Sequence, residues 1–429
     1  MPNRIIDTTI SFMRKNFEKI RYNFDEIPQV SIKEPYGIYI NVPFCYQLCD
    51  FCPFYKEIYS KSIVEKYLDA IINEISKSTI HGTPSWIYYG GGTPNVLTIE
   101  QLEQIVDALK SKITFENMGI EALPSLLTKE YIADLKRIGF SKLSVGVETF
   151  QSNVLESVGR TNKNYEDLRE LLQYAQSLGL FTNVDMLIGL ENQTIPGFLK
   201  DIKFLCEINP SQVTIYPYMA IRGLVSNSKM QNAEQFSTIE KSFSILRENG
   251  YVRRGPWTFT NHNDLYDSSR DELVEDYIGF GPAAFSGYGD YRMVNPPVGL
   301  YLHYWSPENE NINPEALISK NDPESIEWRR LARMIGDLEI NSQYEFSKSV
   351  KFVINVLRIT GFIRNNKLTK KGLLLAHHLT KSVVENLPFP LQNPAVINNY
   401  ETYSKLLSLY PMISANSSSL QSDLIAREL

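Results

Sequence analysis

At 429 residues the chain is long enough for one large domain with one or two smaller ones. Its 43% hydrophobic and 21% charged content is that of an ordinary globular protein, and a formal net charge of −6 argues against nucleic acid as the principal partner. Four cysteines, three of them in one short run, and no signal-peptide core point away from a disulfide framework and towards the reducing cytoplasm; no apolar run approaches the roughly 18 residues of a membrane span. Taken in chain order, Ile5 to Phe24 carries Ile5, Ile6, Ile10, Phe12, Met13, Phe17 and Ile20 at spacing that suits an amphipathic helix packed on the main domain. From residue 36 to about 220, short apolar runs alternate with longer stretches of helical period. Strands are expected at Gly37–Val42, Trp86–Tyr89, Gly119–Ala122, Lys142–Val147, Asn183–Ile188 and Gln212–Tyr216. Helices are expected at Ser62–Ser76, Ile99–Lys110, Lys129–Ile138, Tyr165–Leu178 and Ile195–Ile208, with Gly139 and Gly179 closing two of them.

Six βα repeats imply a parallel sheet with right-handed crossovers. Six rather than eight implies an α/β fold built on a partial (β/α)6 TIM-like barrel, with its chemistry at the C-terminal strand ends. After residue 220 the alternation stops, and an aromatic-rich, loop- and β-rich stretch is expected to cover the open side. The last hundred residues read as helix, short hairpin turning at Asn365-Asn366, and helix, a winged-helix-like arrangement. The expected divisions are a helical extension (1–35), the partial barrel (36–225), the aromatic cover (226–310) and a C-terminal helical domain (311–429). The basic residues between Lys348 and Lys371 read as a solvated face, and the serine-rich tail near 414–419 as mobile.

The chemistry-bearing motifs fall at strand ends. Cys45, Cys49 and Cys52 form C-x3-C-x2-C directly behind the first strand, three thiolates where a closed metal site wants four. A cuboidal iron–sulfur cluster on three cysteines keeps one iron without a protein ligand, free to bind a small molecule through its amine and carboxylate. Zinc would need a fourth ligand, yet Cys206 lies in a helical stretch far downstream and the next histidine is His81. A redox C-x2-C would not need the third thiol. Tyr89-Gly90-Gly91-Gly92-Thr93-Pro94 ends the second strand; it reads either as a tight turn or as backbone that lets a ligand come close. Glu121 ends the third strand, placed to bond a ribose or amine, or to cap the next helix. Asp185 falls at an inward strand position, where a carboxylate is too costly to bury without a polar partner.

These motifs together resemble the radical S-adenosylmethionine (SAM) enzymes, and Tyr39-Ile-Asn-Val-Pro-Phe-Cys45 is similar to the branch of oxygen-independent coproporphyrinogen III oxidases and heme chaperones. The resemblance spans at least residues 36–220 and returns in fragments near 277–305 and 353–379. It implies a 4Fe-4S cluster on Cys45, Cys49 and Cys52, one or two SAM molecules, and reductive cleavage of SAM to methionine and a 5′-deoxyadenosyl radical. By the same resemblance Gly91, Gly92 and Thr93 bind the SAM amino group. Arg160 pairs with its carboxylate, and Glu121, Asp185, Tyr39 and Met219 complete the site. Glu148, which stands where the oxidases carry Gln, is assigned to the same SAM site by that resemblance. Two departures bear on function. Phe54 replaces the oxidases' further cysteine, and Cys52-Pro-Phe-Tyr55 looks more like heme-ring-opening and C-methylating relatives. His262-Asn-Asp-Leu-Tyr266 echoes the chaperone signature His-Asn-x-x-Tyr-Trp, with Asp267 in place of tryptophan, and Ile278–Phe285 resembles a Gly-x-Gly-x-x-Ala turn over the active site. The implied function is modification of a tetrapyrrole or other aromatic small molecule by methyl transfer, ring opening or oxidative decarboxylation, with an electron donor such as flavodoxin or ferredoxin. The alternative is heme delivery without turnover.

Overall fold

The computed structural model describes residues 2–17, 19–28, 32–220, 228–261, 276–320, 322–341, 343–385, 390–391 and 393–410. The expected repeats form at the expected places. Strands β2 (Tyr36–Val42), β3 (Trp86–Gly91), β4 (Met118–Ala122), β5 (Lys142–Glu148), β6 (Phe181–Ile188) and β7 (Gln212–Pro217) lie side by side in sequence order, every neighbouring pair parallel. Each is covered on both faces, which is why it reads as a nearly continuous apolar run. Among the connecting helices, Ile99–Lys110 starts on a capping box between Thr98 and Gln101. Lys129–Ile138 starts on Thr128 and stops at Gly139, whose φ of 114° no side-chain-bearing residue adopts comfortably.

The sheet runs on past these six at both edges. After β7 come β8 (Thr258–Thr260) and the two-residue strand Val252–Arg253, both antiparallel. Before β2 lies β9 (Asp276–Phe280), which adds a further parallel pairing to β2 and leads into antiparallel β10 (Phe285–Tyr288), β11 (Tyr291–Val294) and β12 (Glu315–Lys320). The edge is β1 (Asn23–Glu26), paired antiparallel with β12.

That last pairing corrects the N-terminal expectation. The first helix spans Pro2–Phe17 and does not continue to Phe24. Phe24 instead buries in a strand whose partners, β12 and Asn399, lie hundreds of residues away, and buried Tyr22 just before it bridges to Ile397. Helical spacing of apolar residues could not reveal that competing pairing.

Two cores result. One fills the sheet and the flanking helices of residues 32–298. The other joins Pro2–Phe17, Val298–Trp305, helix α1 (Pro323–Gly336), Lys348–Ile359 and Lys370–Glu385 around the fully buried Trp328. The hairpin between the latter two helices turns on Asn365 and Asn366, both with positive φ, as asparagine tolerates. Lys348, Lys351, Arg358, Arg364, Lys367, Lys370 and Lys371 are all exposed, as a solvated face requires. Among the described residues no helix is long and apolar enough to cross a membrane. The serine-rich stretch 414–419 lies outside the described residues.

Candidate active site

Strand register decides what meets at the mouth of the sheet. Asn41 lies opposite Gly90, Val42 opposite Gly91, Glu121 opposite Ser144, and Gly146 opposite Asp185. Successive C-terminal strand ends therefore open onto one cavity of about 590 Å³, walled by Tyr39, all three clustered cysteines, Gly92, Thr93, Glu121, Glu148, Arg160, Asp185 and Met219. Gly91 lines an adjoining cavity instead.

The cysteine loop is pinned at both ends. Glu57 N–H donates to Pro43 O (2.7 Å) and Tyr59 N–H to Cys45 O (2.9 Å), so Phe44–Cys45 and Glu57–Ile58 form a small parallel pair. Gly92 N–H and Thr93 N–H donate to Val42 O and Phe44 O, each at 2.9 Å, and the Thr93 hydroxyl donates to Cys45 Sγ at 3.3 Å. The glycine run thus makes room chiefly for protein. A Cβ at Gly91, where φ is 112°, would sit 2.1 Å from Asn41 Oδ1, and one at Gly92 would lie within 2.8 Å of the Pro43 and Phe44 backbone. Burial pushes the Cys45 thiol up to about 11, against the pull of the Thr93 hydroxyl. Burial also raises Cys49, with the positive charge of Arg160 opposing it.

On the opposite wall, Glu148 ends β5 after a register shift and holds φ at 65°, an uncommon backbone for a residue with a side chain. Its carboxylate pairs with Arg160 at 3.3 Å, and Arg160 also donates to Gly146 O at 2.5 Å. Burial pushes the Glu148 carboxyl up to about 7; Arg160 opposes the shift and nearby Asp185 adds to it. Asp185 has the polar partners its burial demands: Ser144 Oγ donates at 2.7 Å and Asn183 Nδ2 at 2.9 Å. Even so, burial leaves its carboxyl above the usual range.

Sequence reasoning missed several supporting side chains. Asn95 ties the glycine turn to the strand end of Glu121 through two bonds with the Leu123 backbone (2.8 and 3.1 Å). Asn41 Nδ2 donates to Pro282 O (2.5 Å), fastening the Gly279–Ala284 turn beside the site. Lys142, 1% exposed, lies inside the sheet over the Tyr88 and Phe181 rings. The available signal was a polar residue inside an otherwise apolar strand run, as with Asn41, Lys142, Ser144 and Asn183. The echo of the chaperone signature at 262–267 lies outside the described residues.

The donor set suits the implied groups. Among the described residues no three His, Cys, Asp or Glu side chains converge as ligands of a single ion do; the three cysteines instead share one cavity wall. After burial, the neighbouring thiols add to the upward shifts of Cys45 and Cys49, which Lys56 opposes at both and Arg160 at Cys49. Arg160 Nε is buried without an acceptor among the described residues, which a carboxylate in the cavity would supply.

The chain belongs to the radical SAM superfamily, whose family model matches residues 39–205. Within it the chain is of the type that includes the heme chaperone HemW and oxygen-independent coproporphyrinogen III oxidase. It is 30% identical over 295 residues to heme chaperone HemW of Bacillus subtilis, covering 62% of this chain and 74% of that protein. It is 28% identical over 341 residues to HemW of Lactococcus lactis, covering 74% and 87% respectively. It is 27% identical over 295 residues to oxygen-independent coproporphyrinogen III oxidase of Escherichia coli, covering 61% and 64%. The fold matches the solved structure of Escherichia coli coproporphyrinogen III oxidase (HemN), with a TM-score of 0.69 at 22% identity over 84% of this chain and 96% of that one. The superfamily's cofactors, a 4Fe-4S cluster and SAM, are therefore this chain's.

Proposed function

We propose that the protein is a SAM-dependent radical enzyme that modifies a tetrapyrrole or similarly flat conjugated molecule in the cytoplasm. The observation that carries this reading is the single cavity shared by three clustered cysteines and by polar side chains from successive strand ends. Cys45, Cys49 and Cys52 would hold the cluster. When bound, cluster and SAM supply a reductive carbon–sulfur cleavage that delivers a 5′-deoxyadenosyl radical.

The chain's own work is positioning. Thr93 donates to the Cys45 sulfur and so favours its thiolate, while the Gly92 and Thr93 backbone keeps the cysteine strand in register. Arg160 has a buried donor left for a carboxylate, and its pairing with Glu148 fixes the plane in which that carboxylate is met. Asp185, oriented by Ser144 and Asn183, presents an acceptor for a hydroxyl or ammonium group. Glu121, Tyr39 and Met219 line both this cavity and a larger neighbouring chamber, a position that suits residues standing between cofactor and substrate. Phe54, where the oxidases carry a cysteine, is half exposed at the same junction. Its identity ranks methyl transfer and ring opening ahead of oxidative decarboxylation.

Relatives named heme chaperones favour a second reading, in which heme is held and handed on unchanged. Anaerobic reconstitution with iron, sulfide and a reductant, the natural donor being of the flavodoxin or ferredoxin kind, separates the two. Formation of 5′-deoxyadenosine stimulated by a tetrapyrrole, with a mass change in that tetrapyrrole, supports the enzyme. Stoichiometric heme binding with no product refutes it.

A further inference from the structure

The C-terminal helix Lys370–Glu385 stands between the two cores. Leu375, Ala376 and Leu379 are buried in the second core, whereas the His377 ring stacks at 4.9 Å on Phe236 of the first. The helix nevertheless buries two polar side chains, His377 at 1% and Lys381 at 4% exposure. With partly buried Glu385 they fall at a spacing of four, which puts all three on one face. Each reaches a piece of chain that walls the site.

Trp257 Nε1 donates to His377 Nδ1 at 3.0 Å, so the imidazole proton sits on Nε2 and is donated to Glu240 Oε1 at 3.0 Å. Arg253 holds that carboxylate at 2.7 Å. Trp257 leads into β8, whose first residue Thr258 lines the cysteine-walled cavity, and Trp257 itself lines the larger chamber beside it. Lys381 Nζ directs its three donors to Tyr218 O (2.6 Å), Asn232 Oδ1 (2.6 Å) and Gln235 Oε1 (3.3 Å). Glu385 Oε1 accepts from Ala220 N–H at 2.9 Å and lies 3.7 Å from Lys381 Nζ. Tyr218 to Ala220 is backbone that has left the sheet, since β7 ends at Pro217, and its polar groups need partners elsewhere. Tyr218 and Met219 line the cysteine-walled cavity. A bare packing role would be met at no greater cost by apolar side chains, because burying a charged pair seldom adds stability. Placement of the cavity wall accounts for the charges.

We propose that His377, Lys381 and Glu385 are positioning residues for the cofactor site. Through them the C-terminal helix sets where the Tyr218–Ala220 backbone and the Trp257 ring stand, and so the wall that Met219 presents to SAM. The inference rests on the reading of the cysteine-walled cavity as the SAM site. None of the three lines that cavity, so their effect reaches it through Tyr218, Met219 and Thr258.

The test uses the cluster-loaded full chain under oxygen-free conditions. Glu385→Ala removes the acceptor for Ala220 N–H, and Lys381→Met removes the donor to Tyr218 O at similar side-chain length. In both variants, hydrogen exchange read by mass spectrometry should quicken about 10-fold in peptides spanning 213–220, the worth of one hydrogen bond to a charged group. Equilibrium dialysis should show SAM affinity falling by about 10-fold. In 5′-deoxyadenosine formation driven by a chemical reductant, KM for SAM should rise by the same factor with kcat within about 2-fold of wild type. A smaller folded fraction would instead lower kcat and leave KM alone, which separates positioning from mere stability. Glu385→Gln keeps an acceptor and should hold SAM affinity within about 3-fold of wild type; Lys370→Met, at the exposed start of the same helix, is the control. Should Lys381→Met not fold, the two Glu385 variants decide, because that side chain sits in the last turn at 22% exposure. Wild-type exchange and SAM affinity in Glu385→Ala overturn the proposal, as does a lowered kcat at unchanged KM. Faster exchange with unchanged SAM affinity also overturns it while leaving the SAM site in place. Failure of the wild-type chain to bind SAM overturns the reading of the cavity, and the proposal with it.

Discussion

Adding one methyl group at Gly92 should disable the site without touching any cysteine. The backbone there is not in the left-handed region, so Gly92→Ala introduces no dihedral strain and its effect is purely steric. The new Cβ would lie 2.7 Å from Pro43 C and 2.8 Å from the Pro43 and Phe44 carbonyl oxygens, about 0.7 Å inside ordinary contact. Those atoms cannot yield freely: Pro43 O accepts from Glu57 N–H and Phe44 O from Thr93 N–H. The strand carrying Cys45 must therefore move, or these bonds must lengthen. Overpacking of this kind costs about 1–3 kcal/mol. Displacing a positioned group by about 1 Å costs roughly 100-fold in rate, so a shift of this size should lower 5′-deoxyadenosine formation by about 10- to 100-fold. The assay is product formation under reducing, oxygen-free conditions, with bound iron and the unfolding temperature measured in parallel. Gly255→Ala is the control, since its Cβ would meet nothing nearer than 3.6 Å. Full iron content and a wild-type rate in Gly92→Ala would refute the reasoning that the glycine run exists to seat the cysteine strand.

Arg160→Lys keeps a positive charge but loses the forked donor that reaches both Gly146 O and Glu148; calorimetry should show SAM affinity falling about 10-fold, and an unchanged Kd would remove Arg160 from the site. Glu74 gives a pH test away from the chemistry. Buried, it accepts from Gly281 N–H, Asn295 Nδ2 and Tyr301 O–H, and burial pushes its carboxyl up to about 7. The folded state then binds more protons than the unfolded one between about pH 4.5 and 7. Stability contributed by this group is thus full below that window and is lost as pH rises through it, by at most about 3 kcal/mol. Urea unfolding of the metal-free chain across this window should show the fall, and Glu74→Gln should flatten it. The same substitution should lower stability by about 1–3 kcal/mol at pH 5, because its amide turns donors towards donors; an unaltered pH profile would contradict the assignment.

The βα repeats were legible because their causes are local. Ile99–Lys110, Lys129–Ile138 and Ile195–Ile208 form over the stretches their periodicity marks, each started by a threonine cap. The cysteine spacing was equally plain. What escaped was any strand whose partner is distant. The helical reading ran on to Phe24, into what is the strand Asn23–Glu26, and Asp276–Phe280 gave no sign that it would lie beside Tyr36–Val42. Glycines at 90–92 were readable as a place of close approach, but not as room for Tyr39, Asn41 and the cysteine strand.

From its residues alone the chain declared the order of its elements, the three thiols and the class of cofactor they serve, since period, caps and short spacings act over a few residues. Tertiary structure decided the rest: the pairing of Glu148 with Arg160, the partners that make Asp185 tolerable, and the bond from Asn41 to Pro282 O that brings a distant turn beside the site. Those depend on which strand ends and helix faces are brought together across long stretches of chain. Burial then sets their charge states, and burial belongs to the assembled fold rather than to any one segment.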